Sequence, residues 1–389
     1  MRVLFFYPEN PILKTQGNNS RVLILLEYFK SRNIKVDFVS ERTKILNEKE
    51  LEDIKKTKLV ENAYLLERRG RKKNQLNYFF NYSIYAKHEK NFRVFNRLLF
   101  GYKDIFNEIL NQNKYDFIFI SYVDWAELVK RNKIARKSRL IIDTHDFLTS
   151  QFQNKQRINE INNFNLPIYF EKEINYLKLF DDVLAISIEE KYLFSQFLKN
   201  RIHYLPHTLK NNFTTDLNKN IDVLYVASDN QHNIDSANWF FEKVFKKLDS
   251  KINVVVVGKI CKHINYEAEN LTKISYIEDL NDLYKKTRVS ICPMLTGTGI
   301  KIKVVEALSY GIPVVCNERG VDGLLNKTNN GCLVTNDESE FANYISLLLN
   351  DEKFYQKNTE FAKDFFNKTL SNNVVYETLD KIFLKNKPC

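Results

Sequence analysis

Between Ile291 and Leu324 the chain reads ICPMLTGTGIKIKVVEALSYGIPVVCNERGVDGL, a stretch holding five of the ten glycines of a 389-residue sequence. One carboxylate, Glu306, stands in it inside an apolar run, Val304–Leu308. Glycines ahead of a helix let backbone amides close on an anion, and the helix dipole favours negative charge at that end. A carboxylate farther along the helix can accept hydrogen bonds from hydroxyls of the same ligand. Phosphate at one end and sugar hydroxyls at the other describe a nucleotide or a nucleotide sugar. The plainer alternative is an i, i+3 surface pair of Glu306 with Lys303; the apolar neighbours weigh against it.

A second polar group, Asp143-Thr-His-Asp146, closes the apolar run Arg139–Asp143. Open α/β sheets bind ligands outside the carboxyl ends of their strands, so His145 and Asp146 are candidates for chemistry. A strand-end turn held by local hydrogen bonds is the alternative. The elements that must carry these groups follow from the pattern. Val3–Tyr7, Lys35–Ser40, Tyr115–Tyr122, Arg139–Asp143, Asp182–Ser187 and Ile202–Leu205 read as strands, mostly continuous and apolar as buried parallel strands are. Pro8–Ser20 reads as a polar loop containing Gly17, Arg21–Ser31 as a helix, and Trp125–Lys137 and Ile168–Phe180 as helical. Residues 44–113 read as charged and mostly helical, with no clear strand between Val60 and Leu66. Lys210–Asn220 has the polar, Asn-rich composition of a linker. A second alternation follows, with strands at Asp222–Ala227, Val254–Gly258, Val289–Pro293, Pro313–Asn317 and Gly331–Val334, and helices at Ala237–Leu248 and Asn281–Lys286. The tail from Glu338 to Leu384 reads as helical throughout. The expected fold is α/β, with two doubly wound domains facing across a cleft. The predicted domains are residues 1–210 and 211–370, with a terminal helix at 371–389 packing back on the first.

Hydrophobic content of 44% and charged content of 28% are those of a globular protein. No apolar run reaches the length of a membrane span, and Met1–Pro8 reads as a buried strand rather than a signal peptide; a cytoplasmic location is expected. Cys261, Cys292, Cys316, Cys332 and Cys389 show no C-x-x-C spacing; three of them sit in apolar strand-like contexts and read as small core residues, and neither metal ligation nor disulfides are expected. The net charge of +11 is densest from Arg68 to Arg97, where aromatics interleave with Lys and Arg. That stretch reads either as a solvated insertion with its aromatics turned to the core or as a contact for an anionic membrane surface. No nucleic-acid motif accompanies it.

The block Pro293-x-x-x-Gly297-Thr-Gly299-Ile-Lys301-Ile-Lys303-Val-Val-Glu306-Ala307-x-x-x-Gly311-x-Pro313-Val-Val resembles the donor-binding signature of group 1 (family 4-like) glycosyltransferases, which have the GT-B fold of two Rossmann-like domains. Asp181–Ser187 followed by Leu205-Pro-His207 is similar to the end of that family's N-domain, and Leu224–Phe240 to the opening of its C-domain. The resemblance implies that Glu306 holds the donor's ribose hydroxyls. The family's other glutamate, eight residues earlier, is replaced here by Thr298. The usual Arg and Lys after the first C-domain strands are replaced by Ser228–His232, which leaves His232 as a candidate. Lys301 and Lys303, with the amides of Thr298, Gly299 and Ile300, would then meet the pyrophosphate. His145 matches the family's histidine beside the donor sugar, Gly17 its N-terminal glycine loop, and Arg21 an arginine at the start of the following helix.

What the resemblance implies is a glycosyltransferase of hexosyltransferase type. It would move a sugar from a nucleoside diphosphate to an acceptor hydroxyl with retention, without metal or cofactor. The acceptor would be a saccharide or lipid-linked saccharide of a bacterial surface glycan, met at the inner face of the membrane. A nucleotide-sugar epimerase of the same architecture and an inactive scaffold subunit are the rival readings. A dehydrogenase is not expected, because no G-x-G-x-x-G follows the first strand.

Overall fold

A computed structural model describes residues 1–13, 17–70, 75–84, 87, 91, 93–157, 160–213 and 219–384. Parts of the basic stretch, of the Asn-rich linker and the last five residues, Cys389 among them, lie outside the described residues. The chain divides into two compact units. The first comprises Met1–Ile186, Glu190–Leu205 and the chain from Phe383 onward; the second comprises Ser187–Glu189 and Pro206–Ile382.

The first unit is built on a seven-stranded sheet in the order β3-β2-β1-β4-β5-β6-β7. Its strands are β1 (Arg2–Phe6), β2 (Lys35–Glu41), β3 (Asn62–Leu66), β4 (Phe117–Ser121), β5 (Arg139–Asp143), β6 (Asp182–Ala185) and β7 (Arg201–Tyr204), and all pair in parallel. Strand order reverses between β1 and β4, which makes their carboxyl ends the place for a ligand. Helices α1 (Gly17–Ser31), α2 (Glu48–Lys56), α3 (Tyr102–Gln112), α4 (Leu148–Arg157), α5 (Leu166–Leu177) and α6 (Ile188–Ser195) follow the strands. Phe383 belongs to this unit and packs its ring on Phe29 and Phe117, with centroids 4.9 Å from each.

The second unit carries a six-stranded parallel sheet, β10-β9-β8-β11-β12-β13, with its reversal between β8 and β11. These strands are β8 (Ile221–Val226), β9 (Val254–Val257), β10 (Leu271–Ile274), β11 (Thr287–Cys292), β12 (Val314–Cys316) and β13 (Cys332–Val334). Its helices are α7 (Gln231–Trp239), α8 (Asn281–Lys285), α9 (Ile302–Ser309), α10 (Glu338–Asn350), α11 (Glu352–Phe365) and α12 (Asn372–Phe383, whose last residue falls in the first unit). The four valines of β9 show why its run is unbroken. Val254 and Val256 enter one apolar cluster, with Phe240 and Phe341, while Val255 and Val257 enter another, with Leu308 and Phe365. A strand buried on both faces has no polar side.

Four expectations need correction. Gly17 is not in a loop but opens α1, because Asn18 and Asn19 in that polar first turn are held by tertiary hydrogen bonds that periodicity does not register. Asn62–Leu66 is a strand after all, an edge strand only partly buried and therefore without a continuous apolar run. Leu271–Ile274, unassigned from sequence, is the matching edge of the second sheet. Trp125–Lys137 is not an α-helix but two 3-10 turns, Val123–Leu128 and Ala135–Lys137. Between them the Asn132 side chain accepts from the amides of Ile134 and Ala135, in competition with helix formation.

In the basic stretch, Tyr78 and Tyr82 stack on each other and both meet Phe100 edge-on. Arg69 pairs with Glu108 and Arg97 with Asp124, while Leu76 and Phe79 are exposed. The described cysteines Cys261, Cys292, Cys316 and Cys332 are buried free thiols. Among the described residues no helix is long and apolar enough to cross a membrane.

Candidate functional site

In the second unit the reversal point is occupied by the glycine turn. β11 ends at Cys292, and the chain reaches α9 through Gly297 at φ +103° and Gly299 at φ +71°, conformations that favour glycine. Gly323, itself at φ +85°, lies so close behind that a Cβ there would stand 2.9 Å from Ile300 Cβ and 3.1 Å from its backbone. Thr298 is exposed and Ile300 half-buried. Lys301 is buried, with its Nζ 2.7 Å from Gly299 O and 3.2 Å from Thr298 O, so its ammonium braces the turn from within. Burial lowers its pKa.

The helix after β8 meets the same turn. His232 Nδ1 is 2.7 Å from Thr296 Oγ1, and its ring adjoins Gly297. Lys303 donates to Asn233 Oδ1 at 3.0 Å and lies over the Tyr225 ring. The N-terminal turns of α7 and α9 therefore converge, each with backbone amides that no intrahelical acceptor satisfies. One turn into α9, Glu306 accepts from the Tyr284 hydroxyl at 3.0 Å, not from Lys303. Burial raises its pKa, against the lowering pull of Tyr284 and Lys303.

The first unit places its candidates at the carboxyl ends of β1, β4 and β5. The first turn of α1 ties all three strands. Asn18 donates to the Tyr122 hydroxyl at 2.6 Å, the Tyr7 hydroxyl donates to Asn19 at 2.7 Å, and Arg21 grips Asp143 through two 2.8 Å contacts. Arg21 and Asp143 are both buried, so this guanidinium is neutralised inside the unit. Burial alone would raise the Asp143 pKa, but Arg21 and His145 hold it below the usual carboxylate range.

His145 is buried at φ +57°, a left-handed backbone uncommon outside glycine. Its ring stacks on Tyr122 at 4.3 Å, and Tyr122 itself has φ +68°. Neither imidazole nitrogen has a hydrogen-bond partner among the described residues; Nε2 lies 3.3 Å from Asp143 Oδ2. Burial pushes its pKa down to about 4, so the ring is neutral near pH 7. Asp146 is half-buried beside it.

Two buried acids complete this end of the unit. Glu173 accepts from the amides of Leu148 and Thr149 and from the Thr149 hydroxyl, and burial raises its pKa to about 7. Glu190 is raised to about 8 by burial and by Asp146. Thr144 Oγ1 lies 3.1 Å from both Leu184 O and Glu190 Oε2. One hydroxyl has one proton, so both contacts are satisfied when Glu190 is protonated and donates to Thr144. Sequence reasoning missed Tyr122, Glu173, Glu190, Asn233 and Tyr284. Of these only Tyr122 carried a signal, as a polar residue at the end of an apolar strand.

With this geometry in place, the comparisons with known proteins can be read. Residues 220–351 match the family model for glycosyl transferases group 1. The match covers most of the second unit, including the glycine turn and Glu306. A curated relative, an uncharacterized 44.6 kDa protein in the cps region of Klebsiella pneumoniae, is 25% identical over 306 residues, covering 72% of this chain and 76% of its own. Solved structures agree over nearly the whole length. Sucrose-phosphate synthase from Thermosynechococcus elongatus superposes with a TM-score of 0.71 at 14% identity, covering 99% of this chain and 98% of its own. Anabaena HepE in complex with UDP gives 0.66 at 14% identity, covering 98% and 99%. A TarM mutant from S. aureus, solved with fondaparinux, alpha-GlcNAc-glycerol and UDP, gives 0.65 at 13% identity, covering 98% and 99%. At such identities these likenesses speak for the fold, which is GT-B. The chain is thus similar to group 1 glycosyltransferases over residues 220–351 and has their fold throughout.

Proposed function

We propose that this protein is a group 1 glycosyltransferase that moves a sugar from a nucleoside diphosphate donor to a saccharide hydroxyl, with retention and without a metal, in assembly of a bacterial surface glycan. The observation that carries the reading is the glycine turn opening α9 at the reversal point of the second sheet, with Glu306 one turn farther along. Amides at two converging helix ends suit a diphosphate, and a half-buried carboxylate suits ribose hydroxyls. HepE and TarM were solved with UDP, and the Klebsiella relative lies in a cps region, which supports the donor class and the pathway.

In this reading the leaving diphosphate gains negative charge as the glycosidic bond breaks. The α9 and α7 amides stabilise it, and Lys303 needs only to exchange Asn233 for a phosphate oxygen. Lys301 holds the turn's shape. His145, being neutral, acts by hydrogen bonding to the donor sugar rather than as a standing cation. Neither of its nitrogens makes a hydrogen bond among the described residues, so in this reading a sugar hydroxyl would supply the missing partner.

Glu306→Ala tests the reading. With the accepted nucleotide sugar found by screening a panel for hydrolysis, donor affinity should fall about tenfold or more while the melting temperature holds, the loss expected for hydrogen bonds to a charged group. Unchanged affinity would remove Glu306 from the donor site.

A further inference from the structure

We infer that Tyr284 is a positioning residue for the donor: its hydroxyl sets the rotamer of Glu306, so that the carboxylate meets the ribose with one fixed acceptor oxygen. The inference rests on the ribose role proposed above and deepens it. Tyr284 lies on the short helix α8, ahead of β11 and apart from the signature segment. Its side chain is 2% exposed, and its hydroxyl is 3.0 Å from Glu306 Oε2.

The ring is fixed on a defined platform. It stacks on Tyr310 at 5.1 Å with planes 14° apart, and Tyr310 follows α9 directly as its C-terminal cap. The Tyr310 hydroxyl in turn donates to Asn281 on α8. The middle of α9 and its C-terminal cap are thereby tied to α8, and the phenol reaches Glu306 with little freedom. Such a fixed donor is what a half-buried, rotamer-rich glutamate needs to present one oxygen reproducibly.

Electrostatics point the same way. Three groups face Glu306: Tyr284 from α8, Lys303 one turn earlier on α9, and Tyr310 one turn later. Lys303 gives its hydrogen bond to Asn233, so Tyr284 is the group that hydrogen-bonds the carboxylate. Burial and the adjacent carboxylate push the phenol well above its ordinary pKa, which keeps it a donor at every working pH. Without it, burial acts on Glu306 with only the lysine opposing, and protonation begins at higher pH.

The test is Tyr284→Phe, which retains the stack and the volume, run beside Glu306→Ala. UDP, GDP and ADP are titrated by calorimetry, followed by the 2′,3′-dideoxy form of whichever binds. We expect Tyr284→Phe to weaken the ribonucleotide about tenfold, as loss of a hydrogen bond to a charged group does. The dideoxy form should bind wild type and variant alike. In turnover, donor KM should rise with kcat within about twofold, as for an interaction lost equally in ground and transition states. The acid limb of kcat/KM should move to higher pH. A Tyr284→Phe protein with wild-type affinity and an unmoved acid limb overturns the positioning role. A Tyr284→Phe penalty equal for the ribo and dideoxy forms also overturns it, by showing general loosening of the site. If Glu306→Ala itself binds normally, the ribose assignment has failed and this inference falls with it.

Discussion

The two reversal points of this molecule solve the same problem with opposite materials. In the second sheet the chain passes from β11 to α9 through Gly297 and Gly299, and the positive φ angles belong to residues with no side chain. In the first sheet the positive φ angles at the corresponding strand ends belong to Tyr122 and His145, two bulky rings stacked on one another. A glycine turn presents backbone amides and lets a ligand come close. A turn built on Tyr and His presents a side chain, and strain at such residues persists only where the surroundings enforce it. Here the enforcement comes from the first turn of α1, whose Asn18, Asn19 and Arg21 each hold one strand end. One turn exposes backbone, the other is filled by two rings.

The contrast breaks first, and most heavily, at Arg21. Arg21→Met leaves Asp143 buried with its main counter-charge gone, and removing one partner of such a pair costs about 3–5 kcal/mol. Lys301→Met in the second unit loses hydrogen bonds to two carbonyls of the turn and should cost about 1 kcal/mol. Urea denaturation of both variants, followed by far-UV circular dichroism, measures the difference. Equal losses would mean that the first site is no more rigidly framed than the second.

A smaller effect, on chemistry rather than stability, is expected at His145. Asn tolerates the left-handed backbone better than Ala, so His145→Asn isolates the imidazole. Turnover should fall about a hundredfold, typical of a lost catalytic hydrogen bond, with nucleotide affinity unchanged. Stability should hold, since the imidazole makes no hydrogen bond among the described residues. Wild-type turnover would show that the stacked ring is only part of the frame.

The legible and the hidden parts of the molecule divide along the same physical line. Central strands such as β9 and β5, buried on both faces, announce themselves as unbroken apolar runs. The edge strands β3 and β10 have one free side and mixed residues, and both escaped notice. The polar start of α1 was invisible because Asn18 and Asn19 are helical through contacts with Tyr122 and Tyr7, far away in sequence. The same holds for the sites. Gly297, Gly299 and Glu306 stand out in the sequence by type and spacing, and the structure brings them to one turn and the helix after it. Tyr284 and Glu190 could not, because nothing local distinguishes a tyrosine or glutamate whose partner is brought by the fold.

The finest distinction between the two ends concerns protons. Glu190 is raised from its ordinary 4.5 to about 8, so the folded chain holds a proton there that the unfolded chain has released. Stability from this group is complete below pH 4.5 and declines as pH rises toward 8. His145 tilts the other way. With its pKa down from 6.5 to about 4, it costs stability as pH falls through that window, because only the unfolded chain takes up the proton. Glu190→Gln copies the protonated acid and can donate to Thr144 through its amide. Its advantage over wild type should therefore be absent at pH 4.5 and grow by up to about 1.4 kcal/mol for each pH unit toward pH 8. Melting temperatures of the two proteins across that range measure the slope. The His145 contribution is common to both and cancels, so parallel curves would mean that Glu190 is ionised in the fold. Thr144 would then have one proton for two acceptors, and the acidic end of the first unit would need a different account.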